Sequence, residues 1–557
     1  MRKNLLGLFL VFTFLLPSFV FGQAAVKITS QERKMAEEIT AAQLKDYLYY
    51  VASDEMGGRD TPSVGLDLTA KFIGTLLSRW GFKPAGDNGS FYQKMDLRRE
   101  SVNAASTVAS LGGQNLVYGT DFFANPAAGN ITNAPLVFAG EGWMIKSKGI
   151  EPLKDLDVRG KVVVVYADRF PRGVKFQEVF QSGKRGEAWA DPMTYAKQNG
   201  AVGVISIVMP NDENRWQQIR NARERSGYVV EKLEDAAGKQ LPTIYINSKT
   251  AENLFKGEST EFAKIAETFK SPAALPSFAL NAGKNASVTI LTTPERTPTQ
   301  NIVAIWEGSD QVLKNEYVAI GAHYDHEGTN PNARGDDKIW NGADDDGSGT
   351  VAVLSIAETL AKNPTKRPKR SVLFVWHAGE EHGLWGSEYF NKFPTVDIKQ
   401  VVAQLNIDMI GRSLDPNNII KCDAPGKRCN EELSGPNGIY VIGAEMMSST
   451  LGAITKGTND QYLKIGYDYK YDDPNDKNRF FFRSDHFNYA QNGIPIVFWF
   501  DGVHEDYHQP SDTPDKIDYA KMEKVTRTIF LTLLEISDLK ERPKVDKQLP
   551  AELTRGR

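Results

Sequence analysis

Short runs of apolar residues, separated by stretches with helical spacing, fill the second half of the chain. The runs predict buried strands at residues 301–306, 317–321, 371–376, 401–408 and 495–500. Helical spacing predicts helices at 349–362 and 514–537, and the second has Asp512 or Thr513 as its cap and Pro514 at its first position. This alternation predicts an α/β fold with a doubly wound sheet, in which ligands lie beyond the carboxyl ends of the strands.

The first half of the chain has a different pattern. Residues 31–97 show helical spacing, including a predicted helix at 66–80 that ends at Gly81. Residues 107–282 instead contain short strand patterns and turns, with predicted strands at 161–166 and 202–207 and a helix between them at 188–198. The change of pattern predicts a strand-rich region that precedes the α/β region.

The first residues predict export. Arg2 and Lys3 precede an apolar stretch at 5–16, and Pro17 and small residues at 22–25 follow, which is typical of a secretory signal peptide over 1–23. A membrane anchor is the alternative, but the stretch is shorter than the ~20 apolar residues that span a bilayer. No later segment is long and apolar enough to span. We therefore expect a soluble exported protein, periplasmic or secreted, with no membrane association after removal of the signal.

The length of the chain predicts the number of domains, and its charge argues against nucleic-acid binding. A chain of 557 residues is too long for one ordinary core, so two or three domains are expected. Its formal net charge of -4 gives no basic surface for nucleic acid.

The two cysteines, Cys422 and Cys429, lie close together in a loop-like stretch. Export favours a disulfide between them, and two free thiols are the alternative.

Histidines and acids concentrate where the predicted strands end. All seven histidines lie between His323 and His508, which predicts that some of them share a site. The residues that follow strands or precede helices in this region are His323, Asp325, Asp344, Asp345, Asp346, Glu380, Glu381, Asp408 and His508. Because an unpaired buried carboxylate costs several kcal/mol, so many of them indicate bound cations. Imidazole and carboxylate together suit zinc, with cobalt or manganese as possible substitutes.

These segments resemble the metal-binding motifs of the M28 family of co-catalytic dizinc exopeptidases, from about residue 41 to 538. The resemblance implies a mixed-sheet zinc-exopeptidase fold with two Zn²⁺ per chain. His323 and Asp408 would bind one zinc, Glu381 and His508 the other, and Asp345 would bridge both. Asp325 would accept the second N–H of the His323 imidazole. Glu380 would act as general base on a water held by both zincs, with an oxyanion donor that the sequence does not identify.

The strand-rich region resembles a protease-associated (PA) domain through residues 137–140, 159–165 and 199–204. The resulting boundaries are a signal peptide at 1–23, peptidase parts at 31–106 and 287–540, and a mainly β PA-like insert at 107–286. The basic residues at 541–557 are expected to form a solvated tail.

Other polar residues near these motifs have plainer interpretations. His377 and His382 are expected to be structural or to support ligands, and His326 and His504 to be loop histidines near the site. Asp344 and Asp346 could cap the helix after the turn, and Asp512 could cap the last helix and support the His508 loop. Asp485 could hold the α-amine of a substrate or could be a helix N-terminal acid.

The sequence thus predicts a secreted or periplasmic zinc aminopeptidase that acts on peptides. A carboxypeptidase or dipeptidase of the same fold is the nearest alternative. A glutaminyl-cyclase-like transferase and a transferrin-receptor-like binding protein without catalysis are further alternatives, although the latter lacks part of the metal set that this chain retains. The preferred side chain, the native metal and the oligomeric state are open.

Overall fold

The computed structural model describes residues 26–166, 170–171, 173–175, 178–179, 182–234, 240–270, 274–423 and 427–549. The predicted signal peptide at 1–23 lies outside the described residues. The chain divides into two compact units, one built from the residues up to Lys94 together with those from Thr299, and the other from Met95–Pro298. No helix in the described part of the chain combines the length and the hydropathy needed to cross a bilayer.

The first unit has a mixed central sheet. In spatial order its strands are Thr292–Trp306, Ser371–His377, Tyr317–His323, Val401–Ile407, Ile496–Phe500, Gly438–Ile442 and Gly466–Asp468. The four strands from Ser371–His377 to Ile496–Phe500 are parallel, and antiparallel partners flank them on both sides. The two-residue strand Lys83–Pro84 pairs with the end of Thr292–Trp306. The predicted α/β fold with a mixed sheet is confirmed, although the sequence did not indicate Gly438–Ile442 or Gly466–Asp468 as strands.

Helices cover both faces of this sheet. Ala319 and Leu373 point to one face and pack in a core with Tyr489. Their neighbours point to the other face, where the indole of Trp376 donates to the carbonyl oxygen of Thr350 at 3.1 Å. This two-sided burial explains the continuous apolar runs. The helices of the unit are Ser30–Glu37, Ala41–Val51, Val64–Arg79, Gly349–Lys362, Trp385–Lys392, Ala444–Met447, Ser449–Gln461, His486–Gln491 and Tyr519–Ser537.

The start of the last helix differs from the prediction. Residues Pro514–Lys516 form a separate 3₁₀ turn, and the helix begins at Tyr519. Its cap is Asp518, whose carboxylate accepts the N–H of Lys521 at 3.0 Å. Asp512 cannot cap this helix because its carboxylate accepts backbone N–H groups of a distant turn, described below.

The second unit has its own mixed sheet. In spatial order its strands are Gln114–Asn115, Val108–Leu111, Asn285–Ile290, Gly129–Ala139, Val162–Tyr166, Gly203–Ile207, Thr243–Ile246 and Phe122–Ala124, with Ser277–Ala279 beside Gly129–Ala139. Shorter strands are Met144–Ile145 and Trp189–Ala190, which pair with each other, and Val229–Val230, which pairs with Tyr92–Val102. The unit also contains the helices Pro192–Gln198, Trp216–Arg223, Ser248–Phe255 and Phe262–Phe269. Its interpretation as a PA-like domain, and the predicted boundaries, remain predictions.

The helix predicted at 188–198 is too long at its start. Trp189–Ala190 is a short strand paired with Met144–Ile145. The helix begins at Pro192 because Asp191 caps it and accepts the N–H of Thr194 at 3.0 Å. Proline at the first helical position fits this start, since its missing N–H would have no partner there.

Two terminal and loop features complete the description. Cys422 and Cys429 form a disulfide. The solvated tail expected at 541–557 remains a prediction; within 541–549, Arg542 donates to Glu316 at 2.8 Å and Asp546 accepts the N–H of Ser449 at 2.8 Å. Residues 550–557 of the predicted tail lie outside the described residues.

Candidate metal centre

The ends of the parallel strands bring three predicted ligands together. His323 is the last residue of its strand, Asp408 follows Val401–Ile407, and Asp345 lies in the turn before the helix Gly349–Lys362. Nε2 of His323 lies 3.3 Å from Oδ1 of Asp345 and 3.7 Å from Oδ1 of Asp408. All three residues are buried, so the donor atoms form a compact group shielded from water.

The second oxygen of Asp345 faces a second group of donors. Oδ2 of Asp345 lies 3.1 Å from Nε2 of His508, and the same imidazole nitrogen lies 3.2 Å from Oε2 of Glu381. Asp345 therefore stands between the two groups, with one oxygen toward each, as the predicted bridging residue requires. The structure brings all five predicted metal ligands into one cluster.

The chemistry of this cluster fits zinc. Two histidine nitrogens and three carboxylates lie close together with few cationic partners, and that arrangement is costly unless cations are bound. Nε2 of His323 is buried and has no hydrogen-bond partner among the described residues, although three carboxylates lie 3.3–3.9 Å from it. Nitrogen and oxygen donors of this kind are the ligands that zinc prefers. The residues present therefore fit the implied metal.

Glu380 and Glu381 are neighbours in sequence but lie in different environments. Burial raises the pKa of Glu380 well above its usual value, and the charges of Glu381 and Asp408 act in the same direction. Burial and Asp345 also act to raise the pKa of Glu381, but the imidazoles of His326 and His508 outweigh them and lower it to about 2. Oε2 of Glu380 lies 3.9 Å from Nε2 of His323, beside the cluster. Glu381 thus occupies the predicted ligand position, whereas its neighbour Glu380 faces the cavity.

The acidic turn before the helix is held by hydrogen bonds to its backbone and its carboxylates. Oδ2 of Asp512 accepts the N–H groups of Asp344 and Asp345 at 2.9 and 3.2 Å. Asp346 accepts the N–H of Gly349 at 2.9 Å and those of His323 and Met409 at 3.2 Å. Asp346 therefore contacts the helix start, as the capping interpretation suggested, and also fixes the two strand ends that carry His323 and Asp408.

Sequence comparison finds a family resemblance in this part of the chain. Residues 301–533 match the model described as peptidase family M28. This segment is therefore similar in sequence to peptidase family M28. A probable leucine aminopeptidase of Arthroderma benhamiae is 30% identical over 213 residues, which are 37% of this chain and 50% of that protein. A probable zinc metalloprotease of Leptosphaeria maculans is 27% identical over 273 residues, which are 46% of this chain and 60% of that protein.

Solved structures are also similar. An aminopeptidase from Aneurinibacillus sp. strain AM-1 has a TM-score of 0.48 and 15% identity, covering 93% of this chain and 98% of that one. A zinc aminopeptidase from Bacillus subtilis has a TM-score of 0.47 and 16% identity, covering 92% and 97%. The chain spans about half the length of the relatives that it matches in sequence.

Two residues beside the cluster were not predicted as contacts of the ligands. His326 was expected to be a loop histidine, but it is buried and its Nδ1 lies 2.6 Å from Oε1 of Glu381. Oε1 of Glu327 lies 2.9 Å from Nδ1 of His508. Both residues immediately follow the His323–Asp325 motif, and that proximity is the only sequence signal that could have indicated them.

Sequence patterns did not indicate a role for Arg59 beside the site. This fully buried arginine donates to the carbonyl oxygens of Val51, Tyr324, Asn341 and Gly342 at 2.6–3.0 Å. Burial lowers its pKa to about 10, against the raising effect of Asp325 and other nearby acids. Arg59 therefore ties the loop after His323 to the acidic turn. Its sequence context, a glycine-containing loop far from the motifs, carries no signal of this role.

The remaining predicted residues lie around the cluster. Nδ1 of His323 lies 3.2 Å from the carbonyl oxygen of Asp325 and 3.6 Å from Oδ1 of its carboxylate, so both groups face the predicted N–H. His377 contacts the hydroxyl of Tyr489, and His382 contacts Asp60. Nε2 of His504 lies 3.3 Å from Asp344.

Asp485 occupies the cap position of the helix His486–Gln491, but its side chain makes no cap hydrogen bond. It is fully buried, and neither carboxylate oxygen has a hydrogen-bond partner in the described part of the chain. Burial raises its pKa to about 7. Asp485 does not line the cavity, and its two interpretations, as an α-amine ligand and as a helix N-terminal acid, remain predictions.

A cavity opens beside the metal cluster. Asp345, Glu380 and Asp408 line one part of it, and the remaining lining residues are Met409, Phe480, Arg483, Phe498, Phe500, Val503 and Tyr507. Burial raises the pKa of Tyr507, so its hydroxyl keeps its proton at neutral pH. A substrate that reached the metal cluster would contact these mainly apolar side chains.

Proposed function

We propose that this protein is a zinc aminopeptidase that binds two Zn²⁺ and removes N-terminal residues from peptides. The observation that carries the proposal is the position of Asp345, which presents one oxygen to His323 and the other to His508 and Glu381. His323 and Asp408 would hold one ion and Glu381 and His508 the other, with Asp345 shared. The match of residues 301–533 to peptidase family M28 supports a peptide as the substrate.

Bound zinc supplies Lewis-acid polarisation of the scissile carbonyl and makes water a stronger acid. Glu380 lies next to the cluster and lines the cavity, so its carboxylate is placed to accept the proton of the attacking water and to pass it to the leaving amine. Tyr507 lines the same cavity. Its hydroxyl oxygen accepts a hydrogen bond from Arg483 at 3.3 Å, which leaves its own hydrogen available for the developing oxyanion.

Action on the N-terminus, and not on the C-terminus, is the part of the proposal that the sequence relatives support. The names of the Arthroderma relatives, probable leucine aminopeptidases, agree with this choice. An aminopeptidase should lose activity on N-acetylated peptides, whereas a carboxypeptidase should retain it.

Export is part of the proposal. Residues 1–23 would act as a signal peptide, and the mature protein would work in the periplasm or outside the cell. N-terminal sequencing of the mature protein tests this, and a mature chain that still begins at Met1 would contradict it.

The experiment that tests the function is hydrolysis of aminoacyl-p-nitroanilides by the purified protein. We expect turnover that a chelator abolishes and that zinc restores, with two zinc ions per chain by elemental analysis. Glu380→Gln should lower kcat by roughly 10²- to 10⁴-fold while zinc content stays the same. Activity that resists chelation, or a fully active Glu380→Gln variant, would overturn the proposal.

A further inference from the structure

The cavity beside the metal centre contains one unexplained charge. Among the described residues that line it, Arg483 is the only one with a cationic side chain, opposite the three carboxylates and among the aromatic rings. The proposed hydrolysis uses this guanidinium only to orient the hydroxyl of Tyr507, and the metal cluster does not use it. Arg483 also directly precedes the Ser484–Asp485 pair, whose side chains are buried, whereas its own side chain is exposed.

Arg483 has no acidic partner. In the part of the chain that the structure describes, no carboxylate oxygen lies within 4.0 Å of its nitrogen atoms. Its guanidinium contacts the hydroxyl of Tyr507 at 3.3 Å and lies 4.9 Å from the ring centre of Phe480. Both contacts are neutral, so they orient the guanidinium but leave its charge uncompensated.

The supporting rings are themselves fixed. Phe480 is buried and packs with its ring centre 4.7 Å from Tyr471 and 4.8 Å from Phe500. The ring of Tyr507 stacks on the imidazole of His508 at 3.9 Å. The guanidinium therefore lies against the anchored ring of Phe480 and contacts the hydroxyl of Tyr507, whose own ring is stacked on His508. A group of a substrate bound in the cavity would meet it there.

We infer that Arg483 binds a carboxylate of the substrate and thereby determines specificity, an inference that rests on the proposed peptidase function. A planar guanidinium with unused N–H donors is suited to paired hydrogen bonds with a carboxylate. The acids at the metal centre are committed to the ions, which leaves the substrate as the source of the partner. Two positions on a peptide can supply it: an acidic N-terminal side chain, whose methylene groups fit the apolar lining, or the C-terminal carboxylate of a dipeptide.

Matched substrate pairs test the inference and separate the two sources. The first pair is the p-nitroanilide of glutamate against that of glutamine, which differ only in the side-chain charge. The second pair is Leu-Gly against Leu-Gly-amide, which differ only at the C-terminus. We expect wild-type kcat/KM to favour the charged member of one pair by roughly tenfold or more. Arg483→Met should bring that ratio close to one, and Arg483→Lys should give an intermediate ratio because lysine keeps the charge but not the planar fork.

Arg479→Met is the matched control. Arg479 lies four residues earlier, stacks on Phe482 at 4.5 Å and does not line the cavity, so its variant should keep the wild-type ratio. Ratios near one for both pairs in the wild-type enzyme would overturn the inference. An Arg483→Met variant that loses charged and neutral substrates equally would also overturn it, since the residue would then act only through Tyr507. Failure of the proposed function is distinct from either result, because no anilide or dipeptide would be hydrolysed at all.

Discussion

Oε1 of Glu327 lies 2.9 Å from Nδ1 of His508, on the opposite side of the imidazole from the predicted metal site. Nε2 of the same ring faces Asp345 and Glu381. A carboxylate that accepts the second N–H of a metal-binding histidine fixes the tautomer and orientation of the ring. Glu327 is therefore expected to position His508 from a part of the chain that is more exposed than the metal cluster.

Glu327→Gln and Glu327→Ala should weaken zinc binding by roughly 10- to 100-fold, since outer partners of metal ligands have effects of this size. The measurement is zinc affinity by competition with a chromophoric chelator, which does not depend on turnover. Glu252→Gln, on an exposed position of the helix Ser248–Phe255, is the control and should leave zinc affinity unchanged. Equal zinc affinity of both Glu327 variants and the wild type would show that His508 needs no external support.

The carboxylate of Asp512 should be more important as an acceptor than as a charge. Asp512→Ala leaves the buried N–H groups of Asp344 and Asp345 without a partner, at about 1–3 kcal/mol for each. We expect a lower thermal midpoint and a loss of zinc, because the turn that carries Asp345 is released. Asp512→Asn keeps a carbonyl oxygen at this position and should show a clearly smaller effect by calorimetry and zinc analysis. Identical behaviour of the two variants would contradict this explanation.

The sequence predicted the metal cluster well because the ligands lie at positions that local patterns define. His323 and Asp408 end apolar runs, and parallel strands deliver their carboxyl ends to one edge of a sheet. Asp345 lies in a glycine-rich turn directly before a helix whose predicted bounds, 349–362, agree with the structure. Strand and turn patterns thus predicted that these residues lie near one another, whereas their assignment as metal ligands came from the resemblance to family M28.

The residues that the sequence did not reveal act across large sequence separations. Arg59 contacts carbonyl oxygens more than 260 residues away, and nothing in its own neighbourhood predicts burial of a charge. Asp512 looked like a helix cap because it precedes Pro514, yet its carboxylate is used by the turn at 344–345. Such roles depend on which loops meet after folding, and single-sequence patterns do not contain that information.

Arg59 should be essential for the fold around the site. Arg59→Met removes five N–H donors and leaves four buried carbonyl oxygens without their present partner. We expect the free energy of unfolding to fall by roughly 3 kcal/mol or more. Urea unfolding of apo protein, followed by tryptophan fluorescence, measures the change without any contribution from zinc. Arg79→Met, at the exposed end of the helix Val64–Arg79, is the control and should change stability little. A stable Arg59→Met variant would mean that water replaces the guanidinium.

The docking of the C-terminal segment should depend on pH through Glu316. This carboxylate accepts hydrogen bonds from Arg370 at 2.7 Å and from Arg542 at 2.8 Å. Burial acts to raise its pKa, but the two arginines outweigh burial and hold the pKa below its usual value. Because the pKa of Glu316 is lower in the folded state, its ionised carboxylate stabilises the folded protein fully when the pH is above the unfolded-state pKa near 4.5. This stabilisation is lost as the pH falls through the lower pKa of the folded state.

Glu316→Gln should therefore lower the thermal midpoint at pH 7, and its difference from the wild type should shrink as the pH is lowered below about 4. Paired calorimetric scans of both proteins across this pH range measure the difference directly. Glu307→Gln is the matched control, because Glu307 is exposed and contacts Lys314 only at 3.4 Å, so its variant should stay close to the wild type throughout. A Glu316→Gln deficit that persists undiminished at low pH would show that packing of the side chain, and not its charge, stabilises this contact.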